Sequence, residues 1–264
     1  MSAEQNLKLS FVKMSGVGND FVIFDARKTA IHLTCEQIKK ISNRKNIGCD
    51  QLIVIRNSDS ADCLMEIYNP DGSMSGACGN ATRCVASLLE KDEVKIKTAA
   101  GILNCKKVGN LISVNMGVPK LTPNISLHGF DFTCVDVGNP HAVTFIEEKI
   151  SDEKFFDVGP KVENDKFFPN KTNVEFVKIL SDDLVEVRVF ERGAGETLAC
   201  GSGACAVGIA AIHNGLIKSK KITTRFKGGD LQIEWNGEGS PVIMTGGFTK
   251  IFDGVIDADF FDAN

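Results

Sequence analysis

The chain has 264 residues, an apolar share of 43%, a charged share of 24% and a net charge of −4. This length accommodates two domains, and the composition is that of an ordinary globular protein. No run of five like charges occurs, and no apolar run approaches the roughly 18 residues of a membrane helix, so we expect neither a nucleic-acid nor a membrane partner. Because residues 1–13 lack a long apolar signal core, we expect a cytoplasmic protein.

Nine cysteines are spread along the chain. In a reducing cytosol we expect them to be thiols, most of them packed as small buried apolar groups. Cys84 and Cys205 are predicted core residues, and the core or the surface is predicted for Cys35, Cys49, Cys63, Cys105 and Cys134. The two remaining cysteines, Cys78 and Cys200, are the candidates for chemistry.

Short strand-like runs make up most of the sequence, and alternation such as EVRVF predicts strands with one solvated face. Asn236-Gly237 predicts a hairpin turn between the last two of them. The predicted strands are 7–13, 21–25, 51–56, 64–68, 94–97, 112–116, 134–137, 142–146, 174–179, 185–190, 222–226, 231–235 and 242–245.

Three helices are predicted. The first, 34–45, begins with Thr34 and Gln37 in a capping-box pattern and is polar enough to lie on the surface. The second and third, 78–90 and 200–213, are small and apolar on nearly every side, and Asn214-Gly215 closes the third. A helix that is apolar all round is wrapped by protein, so each is predicted to lie inside a curled sheet.

The two apolar helices form an internal repeat. Each begins with Cys-Gly, carries a second cysteine and follows a glycine-rich approach, and the repeats lie 122 positions apart (200 minus 78). We therefore predict an α/β fold of two pseudo-symmetric domains, each a mainly antiparallel sheet curled around a central helix. The predicted domains are 1–118, onto which a tail of about 250–264 folds back, and 119–249.

A cysteine at a helix start lies among unpaired backbone N–H groups at the positive end of the helix dipole, which favours the thiolate. If two such thiols flank one ligand, one can remove a proton while the other supplies one, as inversion of a stereocentre requires. The N–H groups of Gly79, Asn80, Gly201 and Ser202 could bind the carboxylate that gains charge as the proton leaves. The alternative is that both cysteines are structural, as buried thiols usually are.

The motifs around both cysteines resemble those of diaminopimelate epimerases. Asn69-Pro-Asp-Gly-Ser followed by Cys78-Gly-Asn-Ala-Thr-Arg resembles the first cysteine motif of that family, and Glu191-Arg-Gly-Ala-Gly-Glu-Thr with Ala199-Cys-Gly-Ser-Gly-Ala-Cys-Ala resembles the second. The segments 16–21 and 138–141 match as well, with weaker matches at 50–51 and 172–173. The resemblance implies the two-domain fold described above and interconversion of LL- and meso-diaminopimelate, without pyridoxal phosphate or metal.

The resemblance also implies roles for individual residues. Cys78 would be the base and Cys200 the acid in the LL-to-meso direction, with a histidine, His141, near the first thiol and a glutamate, Glu191, near the second. Arg192 would pair with the distal carboxylate. The substrate pocket would be lined by Asn19, Gln51, Asn69, Asn139, Asn173, Glu191 and Arg192, with Gly79, Asn80, Gly201 and Ser202 at the reacting carboxylate.

Three other interpretations remain at this point. A proline-type or broad-specificity racemase would keep two thiols without a distal carboxylate site. A redox or metal-binding protein is disfavoured because Cys78-x5-Cys84 and Cys200-x4-Cys205 are not zinc-type pairs. A binding module would hold the ligand without exchanging its proton. The sequence predicts a small-molecule substrate, here diaminopimelate, and leaves a homodimer open.

Overall fold

The computed structural model describes residues 8–262. Position 7 of the first predicted strand, the rest of 1–7 and positions 263–264 of the predicted tail lie outside the described residues. The chain forms two compact units: one extends up to Ile112 and resumes at Phe248, and the other runs from Ser113 to Gly247. Among the described residues, no helix is long and apolar enough to cross a membrane.

The elements follow one another in this chain order: β1 (Leu9–Gly16), β2 (Asn19–Asp25), α1 (Cys35–Ser42), β3 (Gln51–Arg56), β4 (Cys63–Tyr68), β5 (Met74–Ser75), α2 (Gly79–Leu88), β6 (Glu93–Thr98), β7 (Gly101–Val108), β8 (Leu111–Asn115), β9 (Lys120–Leu127), β10 (Phe130–Asp136), β11 (Pro140–Phe145), α3 (Asp152–Glu163), β12 (Asn173–Ser181), β13 (Leu184–Glu191), β14 (Gly195–Glu196), α4 (Gly201–His213), β15 (Lys221–Phe226), β16 (Gly229–Trp235), β17 (Val242–Gly246), β18 (Thr249–Ile256) and α5 (Asp259–Asp262).

In the first unit, antiparallel hairpins alternate with parallel pairings. Strand β1 is antiparallel to both β2 and β18, β2 is parallel to β3, and β3 is antiparallel to β4. Strand β4 is then parallel to β6, which is antiparallel to β7. Helix α2 packs on β1, β2, β6 and β7, so the sheet curls around it.

The second unit repeats this order. Strand β10 is antiparallel to β9 and β11, β11 is parallel to β12, and β12 is antiparallel to β13. Strand β13 is parallel to β15, and β15, β16 and β17 form antiparallel pairs. Helix α4 packs on β10, β11, β12, β15, β16 and β17. The predicted fold, a curled and mainly antiparallel sheet around a central helix in each half, is confirmed.

Burial explains why the two central helices have their sequences. In α4 every residue from Gly203 to Ala211 is buried, and in α2 every residue from Asn80 to Ala86 is buried. Small side chains allow the surrounding strands to approach the helix axis closely: a Cβ at Gly208 would lie 2.6 Å from Ile233 Cγ2. Cys84 and Cys205, predicted as core residues, are fully buried.

The outer helices were predicted only in part. Helix α1 has Thr34 as its N-cap and the predicted capping box with Gln37, but it ends at Ser42 rather than at residue 45. Helix α3 was missed, because Gly159 and Pro160 near its end read as breakers; Ser151 caps its start.

Several turns and strands of the structure differ from those predicted from the sequence. The hairpin turn predicted at Asn236-Gly237 connects two antiparallel strands, and Trp235 pairs with Val242, so the connection between β16 and β17 has six residues. Strands β7, β9 and β18 were not predicted, and most of their residues are exposed or half-buried. The two-residue strands β5 and β14 were also missed because they are too short to show a period.

Candidate active site

Cys78 is the N-cap of α2. Its backbone is extended, and its Sγ accepts a hydrogen bond from the N–H of Ala81 at 3.5 Å. The carbonyl of Cys78 accepts from Thr82 Oγ1 at 2.8 Å, which fixes the residue at the helix entrance. The thiol is half-buried. This geometry places sulfur where free helix N–H groups and the helix dipole favour negative charge.

Cys200 has the same position at the start of α4. It is the N-cap, with extended backbone, and its Sγ accepts from the N–H of Gly203 at 3.3 Å. Its Sγ also lies 3.5 Å from Ser202 Oγ. The repeat seen in the sequence is therefore a repeat of local geometry: each helix begins on a cysteine whose sulfur caps its first turn.

The surroundings of Cys200 favour the thiol over the thiolate. Burial raises the pKa of Cys200 well above its ordinary value, and the nearby charges of Glu191 and Glu175 raise it further. Hydrogen bonds from Ser202 and from the Gly203 N–H act in the opposite direction. At neutral pH, Cys200 is therefore held as the thiol, and the two hydrogen bonds to its sulfur reduce the cost of a negative charge there.

Glu191 lies at the end of β13, close to this thiol. Burial raises the pKa of its carboxyl group, although Thr197, Cys200 and the charge of His141 all lower it in part. Thr197 Oγ1 donates to Glu191 Oε1 at 2.5 Å. The family resemblance predicts a glutamate near the second cysteine, and Glu191 interacts with Cys200.

A chain of side chains connects Cys200 to the interior of the second unit. Asn139 Nδ2 donates to Ser202 Oγ at 3.2 Å, and Asn139 Oδ1 lies 3.2 Å from His141 Nε2. His141 Nδ1 lies 2.6 Å from Glu175 Oε1. Asn139 and His141, two of the predicted site residues, are therefore connected to Cys200 by hydrogen bonds within the second unit.

Asn173 and Arg192 complete the predicted set in this unit. Asn173 is buried at the start of β12, where its side chain donates to Pro140 O and accepts from the Arg192 N–H, both at 3.0 Å. The exposed guanidinium of Arg192 donates to Asn170 O at 3.1 Å. Asn173 therefore positions the backbone of Arg192, whose side chain remains exposed.

In the first unit, Asn19, Gln51 and Asn69 lie at strand ends, as the predicted site residues of the second unit do. Asn19 and Gln51 begin β2 and β3, which are parallel, and Asn69 follows β4. Gln51 Nε2 donates to Asn69 Oδ1 at 3.2 Å. Within residues 8–262, the buried oxygens Asn19 Oδ1 and Gln51 Oε1 have no hydrogen-bond partner. Two unpartnered buried acceptors call for a donor from a ligand or water.

Two aspartates clamp the loops that carry Asn19 and Gln51. The Asp20 N–H donates to Asp50 Oδ2 at 3.0 Å, and the Asp50 N–H donates to Asp20 Oδ1 at 3.1 Å. Arg44 bridges the two carboxylates, and buried Lys13 pairs with Asp20. Burial alone would raise the pKa of Asp20, but hydrogen bonds from Arg44 and Lys13 hold it well below its usual range.

Asn80 lies just inside α2, buried, with its Oδ1 accepting from Arg83 at 2.9 Å. Arg83 is completely buried and was not predicted as a functional residue. Glu175 was missed as well, because Val174-Glu175-Phe176 was interpreted only as part of a strand. An acidic residue inside an otherwise apolar run was the signal that could have identified it. Among the described residues, no group of three or more potential ligands could hold a metal ion.

Solved structures define the class of fold. A Bacillus anthracis phenazine biosynthesis protein of the PhzF family is similar with a TM-score of 0.71 at 16% identity, covering 95% of this chain and 99% of that one. A hydroxyproline epimerase from Agrobacterium vitis is similar with a TM-score of 0.69 at 13% identity, covering 98% and 94%. The protein has the fold that these epimerase and PhzF structures share.

Sequence comparison identifies the particular family. The family model described as "Diaminopimelate epimerase" matches residues 11–122 and 133–251. A diaminopimelate epimerase of Leptospira biflexa is 40% identical, covering 95% of this chain and all of that one. One from Methanococcus maripaludis strain C6 is 42% identical, covering 94% and all of that one. The chain belongs to the diaminopimelate epimerase family, as the cysteine motifs predicted.

Proposed function

We propose that the protein is a diaminopimelate epimerase. It interconverts LL- and meso-diaminopimelate by proton transfer between the α-carbon of the substrate and two cysteines. In the LL-to-meso direction the Cys78 thiolate takes the α-proton and the Cys200 thiol supplies one to the opposite face. The roles reverse on return, so each turnover conserves protons and exchanges the protonation states of the two sulfurs. This reaction belongs to lysine and peptidoglycan precursor synthesis.

One observation carries the proposal: in a member of this family, two cysteines are N-caps with equivalent geometry in two repeated units. At each cysteine, the free N–H groups of the first helical turn can also bind the substrate carboxylate as it gains enediolate charge. Such a donor is typically worth about 2.7–4 kcal/mol in the transition state. The donors assigned to this task are the N–H groups of Gly79, Asn80, Gly201 and Ser202.

The polar groups around the two helix starts suit a substrate that is charged at both ends. The unpartnered oxygens of Asn19 and Gln51 would accept hydrogen bonds from an ammonium group. Arg192, exposed and oriented through Asn173, would bind the distal carboxylate. Glu191 would meet an ammonium or tune Cys200, and His141 would tune proton transfer.

The experiment is α-proton exchange in heavy water. The protein, incubated with LL- or meso-diaminopimelate, should incorporate one deuterium at the inverted carbon and form the other isomer. Cys78→Ser and Cys200→Ser should each reduce inversion by several orders of magnitude, because an alcohol is a far weaker acid than a thiol. Cys35→Ser, which changes an exposed thiol outside the site, is the matched control. No deuterium in the product of the parent protein would contradict the proposal.

The second candidate is a racemase for monocarboxylate amino acids such as proline. Its support is the fold shared with a hydroxyproline epimerase and with a probable proline racemase from Agrobacterium radiobacter at 15% identity. The same exchange assay with L-proline and with several neutral amino acids distinguishes the two candidates. We expect exchange with diaminopimelate to be far faster than with the other substrates, since Arg192 would have no partner on them.

Four further points, on location, cofactor, oligomeric state and domain boundaries, stay predictions. We propose that the enzyme acts in the cytoplasm and that it needs no cofactor. A homodimer remains open, and sedimentation of the purified protein would decide it. The division into catalytic halves at residues 118 and 249, each carrying one cysteine, is our proposal for the domain boundaries.

A further inference from the structure

Glu175 is a buried carboxylate that the proposed reaction does not yet use. Its side chain and that of His141 have no exposed surface, and Nδ1 of the histidine lies 2.6 Å from Oε1. Its other oxygen, Oε2, has no hydrogen-bond partner among residues 8–262. A buried carboxylate with an unpartnered oxygen is costly for stability, so its presence calls for a functional reason.

The hydrogen bonds of His141 determine where its protons lie. On one side Nδ1 faces the carboxylate oxygen of Glu175, and on the other Nε2 faces the amide oxygen of Asn139 at 3.2 Å. An amide oxygen only accepts, so Nε2 carries a proton, and a carboxylate at Nδ1 accepts a second one. An imidazolium ring with Glu175 as its counter-ion satisfies both contacts at once.

From His141 the donors run in one direction. The Nε2–H donates to Asn139 Oδ1, and Asn139 Nδ2 donates to Ser202 Oγ at 3.2 Å. Because Ser202 Oγ already accepts from Asn139, its own hydrogen is free to donate to Cys200 Sγ, 3.5 Å away. Between His141 and Cys200, every hydrogen bond thus has its donor on the side away from the sulfur and its acceptor on the side toward it.

We propose that Glu175 is a positioning residue, which holds His141 as an imidazolium so that the chain Asn139–Ser202 delivers a hydrogen bond to Cys200. The inference rests on the proposed function, in which Cys200 gives up its proton and must bear negative charge until the reverse transfer. Burial and the charges of Glu191 and Glu175 oppose that charge, and the hydrogen bond that the chain delivers to Cys200 offsets them. No proton passes along it: the only protons transferred are those between sulfur and the α-carbon.

A glycine makes this arrangement sterically feasible. A Cβ at Gly203 would lie 2.7 Å from Glu175 Oε1 and 3.3 Å from Cys200 Sγ. Glu175 therefore approaches the first turn of α4 closely because position 203 has no side chain. The same helix turn contacts both ends of the hydrogen-bond chain.

The first test is Glu175→Gln, which keeps the size of the side chain and removes its charge. We expect kcat to fall by about tenfold to a hundredfold, the usual effect of losing the partner that orients a functional histidine, while KM changes by less than about twofold. Glu186→Gln is the control: Glu186, in the same unit, pairs with Lys149 and is partly exposed, and its substitution should leave both constants unchanged. An unchanged kcat in Glu175→Gln would overturn the proposal.

A double variant separates positioning from a general structural effect. If Glu175 acts through His141, then adding Glu175→Gln to His141→Gln should cost less than about twofold in residual α-proton exchange. Independent losses that multiply would contradict the proposal. This comparison depends on ratios of rates and not on stability.

The third measurement uses the parent protein and needs no turnover, so it decides the question even if Glu175→Gln does not fold. The chain has four histidines, and nitrogen-15 NMR with His141→Gln assigns the signals of His141. Both ring nitrogens should be protonated at neutral pH. A singly protonated ring would overturn the proposal. Absence of epimerase activity together with a doubly protonated ring would count against the proposed function alone.

Discussion

Gly203 lies so close to Glu175 that a single added carbon would be 2.7 Å from the carboxylate oxygen. Gly203→Ala should therefore displace Glu175 or Cys200. We expect a loss of about 1–3 kcal/mol in unfolding free energy, as for other overpacked cores. We also expect kcat to fall by more than the unfolded fraction of the variant accounts for. Urea unfolding and steady-state kinetics check both.

Gly208→Ala is the matched control for this prediction. It makes the same substitution in the same helix, and its Cβ would lie 2.6 Å from Ile233 Cγ2, far along the helix from the thiol. It should destabilise the protein comparably while the folded fraction keeps its kcat. Equal effects of both variants on kcat would refute the specific role of position 203.

The buried thiols predict a loss of stability at alkaline pH. Burial raises the pKa of Cys63 and Cys134 from 9.0 to about 11 and that of Cys84 and Cys105 to about 12. A raised folded-state pKa gives a contribution that is fully present below the unfolded value of 9.0 and is lost as pH rises through the folded values. Unfolding free energy should therefore fall steadily above pH 9.0.

Cys105→Val with Cys134→Val tests this cause. The double variant removes two of these thiols at nearly constant side-chain volume, so its free energy of unfolding should fall less steeply with pH than that of the parent. Lysines titrate in the same range in both proteins, and the difference between the two slopes isolates the thiols. Identical slopes would show that the thiols do not cause the loss.

The clamp between Asp20 and Asp50 predicts an acid-sensitive step. Because the pKa of Asp20 is held low, its contribution is present above the unfolded value of 3.8 and is lost as pH falls below it. Arg44→Gln should weaken that contribution by about 0.5–1 kcal/mol, since Arg44 is largely exposed. It should also raise KM, because Asn19 and Gln51 adjoin the clamped aspartates.

Unfolding in urea at neutral and acidic pH measures the effect of Arg44→Gln. Arg225→Gln removes a similar forked pair, with Asp230, on the exposed hairpin of β15 and β16, and it should change neither stability nor KM. If Arg44→Gln left the acid limb and KM as in the parent, the clamp would have no role in positioning the pocket.

Arg192→Gln tests the distal carboxylate. We expect KM for diaminopimelate to rise by about tenfold or more, the equivalent of one charge-assisted hydrogen bond, with unchanged stability because the side chain is exposed. Exchange with a monocarboxylate analogue, however slow, should be spared. A parallel loss on both substrates would show that Arg192 does not bind the second carboxylate.

Sequence reasoning identified the two helix starts because their chemistry is local. A cysteine followed by glycine and a run of small apolar residues predicts both the N-cap and burial of the helix, and α2 and α4 have both properties. The capping box of α1 was likewise found from Thr34 and Gln37 alone. The family resemblance supplied the remaining site residues.

What the sequence could not provide depends on pairing between distant segments. Glu175 becomes notable only because β11 and β12 are parallel, with Ala142 opposite Val174 and His141 opposite Asn173. Arg83 and the Asp20–Asp50 clamp likewise depend on tertiary contacts. Strand β18 is mostly exposed and shows no alternation of polar and apolar residues, and its partner β1 lies at the other end of the chain, so no local pattern marks it.

That pairing has a consequence for synthesis on the ribosome. The second unit is one continuous stretch, and all of its strands are available once Gly247 has emerged. The first unit must wait: β1 keeps one edge unpaired until β18, the last strand within residues 8–262, is translated and covers it. The half of the protein that is made first is therefore the half that finishes folding last.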